Sequence, residues 1–190
     1  MTINQKGNAK RHPNKSVRVS THTPVLELAI SLLGNNITIV EHGMGISSTP
    51  FFHKEVKVSR ILSFEDDKKW MNCDDCNTKI SNKIHHINSF NSFENCKNII
   101  SSFVENHKDI IVLVDGPSDQ RIQVLKIAQE LMISHIVEHD AETFNSNELL
   151  QRVEISRKNR YNVYQYIKLN PETMFYTFDT IEDINYVKII

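Results

Sequence analysis

The sequence predicts an α/β domain: a mixed sheet of about seven strands with helices on both faces, closed by an antiparallel C-terminal hairpin. Three observations predict it. Short β-branched runs alternate with helix-spaced apolar segments along most of the 190 residues, the pattern of a sheet with crossover helices. The strongest run, Ile110 to Val114, is uninterruptedly apolar, as a strand buried on both faces must be. Near the C-terminus, Tyr161–Leu169 and Met174–Phe178 are aromatic-rich and joined only by Asn170-Pro171-Glu172-Thr173. That link is too short for a crossover, so the two runs pair antiparallel.

Each element follows from its own signal. Residues 1–23 are polar and basic without apolar periodicity and read as a flexible arm, with residues 24–190 as a single domain. Thr23-Pro24 then opens a helix whose apolar positions run from Val25 to Leu33, stopped by Gly34. Ile37–Val40 is the first strand and Arg60–Phe64 the second. Pro50 between them is expected to clip the helix after the first strand. Lys68 to about Cys73 forms a short helix, and Lys83–Ile87 a weak third strand. Asn95–Asn106 is helical through Ile99, Ile100, Phe103 and Val104. After the fourth strand, Ile110–Val114, comes a helix over Arg121–Met132. Strand His135–Glu138 and a helix from Asn147 to about Ile155 precede the hairpin.

Composition excludes several classes. With 22 basic and 23 acidic residues, no global field selects nucleic acid or acidic lipid. The charge is uneven, since Lys6, Lys10, Arg11, Lys15 and Arg18 all precede the first acid, Glu27. Three cysteines and no apolar leader argue against a disulfide framework and for a cytoplasmic, soluble protein. No run approaches the ~18 apolar residues of a membrane helix. Five glycines, where average usage would give about 13, suggest glycine placed where the backbone demands it.

Ligands of open parallel sheets bind beyond the carboxyl ends of the strands. The first strand is followed by Glu41-His42-Gly43-Met44-Gly45-Ile46-Ser47-Ser48-Thr49, with two glycines that let the backbone turn and approach a ligand. Glu65 lies about 20 residues beyond Gly45, at the end of the next strand, where an acid accepts hydrogen bonds from ribose hydroxyls. Glycine loop, strand and acid in register point to a nucleoside.

These residues resemble a family. Class I S-adenosylmethionine-dependent methyltransferases, which are Rossmann-like, carry a Glu-x-Gly-x-Gly loop, a ribose-binding acid after the second strand and a terminal antiparallel hairpin. The resemblance covers roughly residues 24–180, and is closest to the branch that methylates oxygens of glycans and small hydroxylated metabolites. Trp70 after Glu65 and Val114-Asp115-Gly116-Pro117 add to it. It implies S-adenosylmethionine as cofactor. Glu41, Gly43, Gly45, Ser47 and Ser48 would surround its methionine part, Glu65 its ribose and Asn88 its adenine, with Asp115 beside the methyl donor. The acceptor would be a small molecule or glycan.

A hydroxyl acceptor must also lose a proton, to a carboxylate, a histidine or a cation-bound oxygen. Asp115, His139 and Asp140 end adjacent strands and are the catalytic candidates. Asp115 and Asp140 are also candidate ligands of one Mg or Mn ion, unless both only cap the following helices. Arg121 either binds an anionic substrate or pairs with Asp119 or Glu138. Cys73-x-x-Cys76 has zinc-ligand spacing, with His85, His86 and Cys96 nearby, but no clear second pair completes four ligands. Two rivals stand beside the methyltransferase: a nucleoside-binding module without chemistry, and a nucleic-acid protein that uses the basic arm. The second lacks aromatic residues interleaved with its basic run.

Overall fold

The β-branched runs form the strands β1 (Ile37–His42), β2 (Val58–Phe64), β3 (Ile84–Asn88), β4 (Ile110–Val114) and β5 (His135–Glu138). The aromatic runs form β6 (Asn162–Tyr166) and β7 (Thr173–Thr177), and Tyr186–Lys188 adds β8. The helices are α1 (Thr23–Ser31), α2 (Ser48–Lys54), α3 (Lys68–Met71), α4 (Phe93–Val104), α5 (Ser118–Glu130) and α6 (Ser146–Lys158). This computed structural model describes residues 22–71, 83–140, 145–167, 172–183 and 185–190.

Among the described residues the strands form one sheet in the order β3-β2-β1-β4-β5-β7-β6-β8. The first five are mutually parallel, and β7 runs antiparallel between β5 and β6. The chain therefore starts in the middle, winds out through β2 and β3, then crosses back to β4 and β5. The strand order reverses between β1 and β4, which is where such sheets bind ligands.

Both faces of the sheet are covered. Val40, Val112 and Val114 pack with Ile100 of α4 and Val124 and Ala128 of α5. Their neighbours Ile39, Ile111 and Leu113 turn to the other face, against Val25, Leu26 and Ala29 of α1 and Phe52 of α2. This alternation is the period of two along each strand. Burying one such aliphatic side chain contributes about 1.5–3 kcal/mol, so the central strands are held from both sides. No described helix is long and apolar enough to cross a membrane.

The expected mixed sheet of about seven strands carries one further short strand, β8, whose three residues are too few to show a period. One expectation needs correction. Pro50 does not break α2: it is the third helical residue, where an N–H has no intrahelical partner to lose. Thr23 opens α1, and His22 is only 3% exposed. Residues 1–21, most of the expected arm, lie outside the described residues, as do Cys73 and Cys76. Cys96 is buried in α4 as a core residue. Trp70 sits on the short α3, at the exposed margin rather than in the core.

Candidate functional site

The loops after β1, β2, β4 and β5 meet at the switch point. Gly43 has φ +89°, and a Cβ there would lie 2.7 Å from both N and Cα of Gly116. A Cβ on Gly116 would in turn strike the His42 ring. The glycine loop and the β4 loop thus touch backbone to backbone, and only glycine allows it. Gly45 differs: its added Cβ would meet Ser48 Oγ at 3.3 Å and nothing else nearer than 3.9 Å, so its outer side is bare.

Glu41 holds this loop from below. Its fully buried carboxylate accepts from Ser48 Oγ at 2.6 Å and Ser63 Oγ at 2.7 Å, with Thr49 Oγ1 3.0 Å from both oxygens. Thr49 Oγ1 accepts in turn from Gly45 N at 3.2 Å. The side chains of Glu41 and Ser48, expected around the cofactor, are therefore engaged with one another inside the domain. Ser47 remains at the outer turn, half-buried, as the residue preceding α2. The polar chain continues from Ser63 Oγ to His85 Nε2 (2.8 Å) and from His85 Nδ1 to His53 Nε2 (3.0 Å).

Burial raises the Glu41 pKa to about 7, against the opposing effect of its hydroxyl donors. The folded state keeps the proton that the unfolded chain releases near 4.5. Stability from this group is therefore intact below pH 4.5 and lost as pH rises through about 7. The loss is about 3 kcal/mol. Glu41→Gln removes the titration, so denaturant unfolding should show a flatter stability profile over this range than the parent. Identical profiles would mean Glu41 is ionised in the fold.

Glu65 reaches back to the glycine loop, accepting from Met44 N at 3.0 Å and, with its other oxygen, from Asp67 N at 2.8 Å. A carboxylate has roughly four acceptor sites, so capacity for a vicinal diol remains. Asn88 O accepts from Glu65 N. Asn88 lines an open cavity of about 480 Å³ against α4, with Leu62, His86, Ile99 and Phe103.

On the other side of the switch point, Asp115 Oδ1 lies 2.9 Å from His139 Nδ1. Burial lowers the His139 pKa, but the Asp115 hydrogen bond and charge together with Asp140 outweigh it, and the net shift is upward. Arg121 stitches the two loops. It donates from Nε to Gly116 O (2.8 Å), from Nη1 to His139 O (2.7 Å) and from Nη2 to Asp140 Oδ2 (3.1 Å). Its partner is thus Asp140, neither Asp119 nor Glu138. Glu138 is held beneath the site by Arg152 and Tyr176. Asp140 Oδ2 is on the Arg121 guanidinium and its Oδ1 lies 3.3 Å from His139 Nδ1, while Asp115 stands between His139 and His22.

Several site residues were not legible beforehand. His22 reaches Asp115 from ahead of α1, its Nδ1 3.9 Å from Oδ2, and burial lowers its pKa to about 4. The buried His42 pairs through Nε2 with Gln120 Oε1 (3.0 Å) and packs edge-on against Phe90. Only the position of His42 at the end of β1 hinted at it, and His22 carried no signal.

This sheet order, with an antiparallel strand inserted beside β5 and the loops converging at the β1/β4 switch point, is a Rossmann-like fold shared with solved methyltransferase structures. No protein-family model and no curated protein matches the chain. Solved structures do. A putative caffeoyl-CoA O-methyltransferase from Staphylococcus aureus has TM-score 0.54 at 14% identity, covering 80% of this chain and 82% of that one. A precorrin-6y C5,15-methyltransferase from Geobacter metallireducens gives 0.52 at 14%, over 87% and 93%. MycE of the mycinamycin biosynthetic pathway, solved with Mg, SAH and mycinamycin VI, gives 0.55 at 12% identity over 83% of this chain. This chain spans only 45% of MycE. At such identities the likeness establishes the fold.

Proposed function

We propose that the chain is an S-adenosylmethionine-dependent methyltransferase that methylates an oxygen of a small hydroxylated acceptor, a sugar or other polyol. One observation carries it: the Asp115–His139 pair stands directly beside the glycine loop, one Gly43–Gly116 backbone contact away. When bound, S-adenosylmethionine supplies a methyl group on a positively charged sulfur. The backbone of Gly43 to Gly45 and Ser47 would border its methionine part, Glu65 would accept from the ribose hydroxyls, and Asn88 would face the base. Displacement at sulfur is in-line, so the chain's main contribution is placement of the acceptor oxygen. His139, fixed through Nδ1 by Asp115, takes the acceptor proton at Nε2, and its raised pKa suits that role. Arg121 fixes both loops and keeps Asp140 neutralised.

Titration calorimetry should show S-adenosylmethionine and its demethylated product binding, with NAD and ATP much weaker. Glu65→Ala should weaken binding by roughly 1.5–3 kcal/mol, the value of a hydrogen bond to a charged group. Glu65→Gln, which keeps an acceptor for Met44 N, should lose less. Unchanged affinity in a folded Glu65→Ala protein would sink the ribose assignment. Binding without turnover on any hydroxylated acceptor would favour the module without chemistry.

A further inference from the structure

His22, Asp115 and His139 come from three separate parts of the chain and meet beside the β4 and β5 loops. Taking one ligand atom from each, all lie within 4.8 Å of one another. The Asp115 carboxylate sits between the two imidazoles, Oδ1 2.9 Å from His139 Nδ1 and Oδ2 3.9 Å from His22 Nδ1. The rings approach edge-on, with centroids 4.6 Å apart and planes at 81°. Ligand atoms about 2.0–2.2 Å from one ion stand at such mutual separations.

We infer that His22, Asp115 and His139 form a binding site for a divalent first-row transition-metal ion, held by two imidazole nitrogens and one carboxylate. The donor set decides the ion class. Imidazole suits zinc, cobalt, nickel and iron, whereas magnesium takes oxygen ligands and keeps its waters. The neighbouring carboxylate, Asp140, has Oδ2 on Arg121 and Oδ1 3.3 Å from His139 Nδ1. Pairing with Asp140 also offsets the Arg121 charge, which would otherwise oppose an ion from 3.9 Å away at Asp115 Oδ1. Asp115 then contributes the net negative charge of the site.

The backbone behind the ligands is fixed. Asp115 N donates to His42 O at 2.8 Å, His139 N to Val114 O at 3.0 Å, and Arg121 Nη1 holds His139 O. His22 is buried and its carbonyl accepts from Val25 N and Leu26 N, which ties it to the start of α1. Three protein ligands leave coordination positions open for an exogenous oxygen. Ion and shared proton exclude one another, because the ion takes the place between His139 and Asp115. The inference goes beyond the methyltransferase reading, since the donor set would bind an ion in a protein without chemistry.

The test uses chelator-treated full chain with no S-adenosylmethionine present. Calorimetry with ZnCl₂ and CoCl₂ should show one equivalent bound, and MgCl₂ should show none. Co²⁺ should shift the ring-proton resonances of His22 and His139 in the unmodified protein, leaving His53 unaffected. His22→Ala and His22→Gln should each weaken Co²⁺ binding at least tenfold, while a Cys73→Ser/Cys76→Ser protein should bind as the parent does. Unmoved His22 and His139 resonances, full affinity in folded His22 variants, or loss with the cysteines would each overturn the site. S-adenosylmethionine affinity is measured separately, so either reading can fail alone.

Discussion

Arg152→Ala should destabilise the domain by about 3–5 kcal/mol, the cost of removing one partner of a buried ion pair. Arg152 comes from α6 and reaches Glu138 at the end of β5, with Nε 3.0 Å from both carboxylate oxygens and Nη2 2.7 Å from Oε1. Glu138 has no solvent exposure, and its remaining described donor is the Tyr176 hydroxyl at 2.7 Å. Without the guanidinium, a carboxylate would stay in the interior with one neutral donor. For a chain of this size the loss lowers Tm by on the order of 10 °C. Because desolvation offsets most of a buried pair's attraction, Arg152→Met with Glu138→Leu should recover much of the loss. Scanning calorimetry on the single and double variants decides it: a single variant as stable as the parent would show that water reaches Glu138. This pair also anchors the strand that presents His139 and Asp140, so the site and the core share one support.

The sequence and the structure agree where local physics is sufficient. Ile110–Val114 reads as a strand because five apolar residues in line need apolar cover on both faces, and β4 is buried throughout. Gly43 and Gly116 stand out in a glycine-poor chain because two loops touch where no Cβ fits. The hairpin is legible because its link is too short for any other pairing. What the sequence does not show is pairing between distant side chains. Glu41 looks like a ligand-facing acid, yet its partners Ser48, Thr49 and Ser63 arrive from α2 and β2 and turn it inward. Asp140 reads as a second metal carboxylate, and the pairing of its Oδ2 with Arg121 of α5 has no signal in the sequence. His22 lies in a polar stretch without periodicity, and only the docking of α1 brings it to Asp115. β8 and α2 fail for a different reason: three residues cannot display a period, and a proline in a first turn mimics a breaker.

Asp115→Asn should reduce turnover by about 10²–10⁴-fold, the usual range for general-base assistance, while leaving S-adenosylmethionine affinity within a few fold. The substitution keeps the shape of the side chain and an acceptor for His139 Nδ1. What it removes is the charge that, with the hydrogen bond, raises the His139 pKa against burial. An imidazole acting as base works only when deprotonated, so activity climbs as pH passes its pKa. With that pKa lowered, the acidic limb of the pH–rate profile should move to lower pH even as the plateau falls. A merely structural role for Asp115 would depress the plateau without moving the limb. Chelator separates proton transfer through His139 from assistance by an ion. If the parent enzyme is indifferent to chelator and Asp115→Asn is slow with a displaced limb, His139 takes the proton directly. If chelation reproduces the slow phenotype and cobalt or zinc reverses it in the parent but not in Asp115→Asn, the acceptor oxygen is activated on an ion at the His22–Asp115–His139 site. Full turnover in Asp115→Asn would remove Asp115 from the chemistry, and with it the case for His139 as an oriented base.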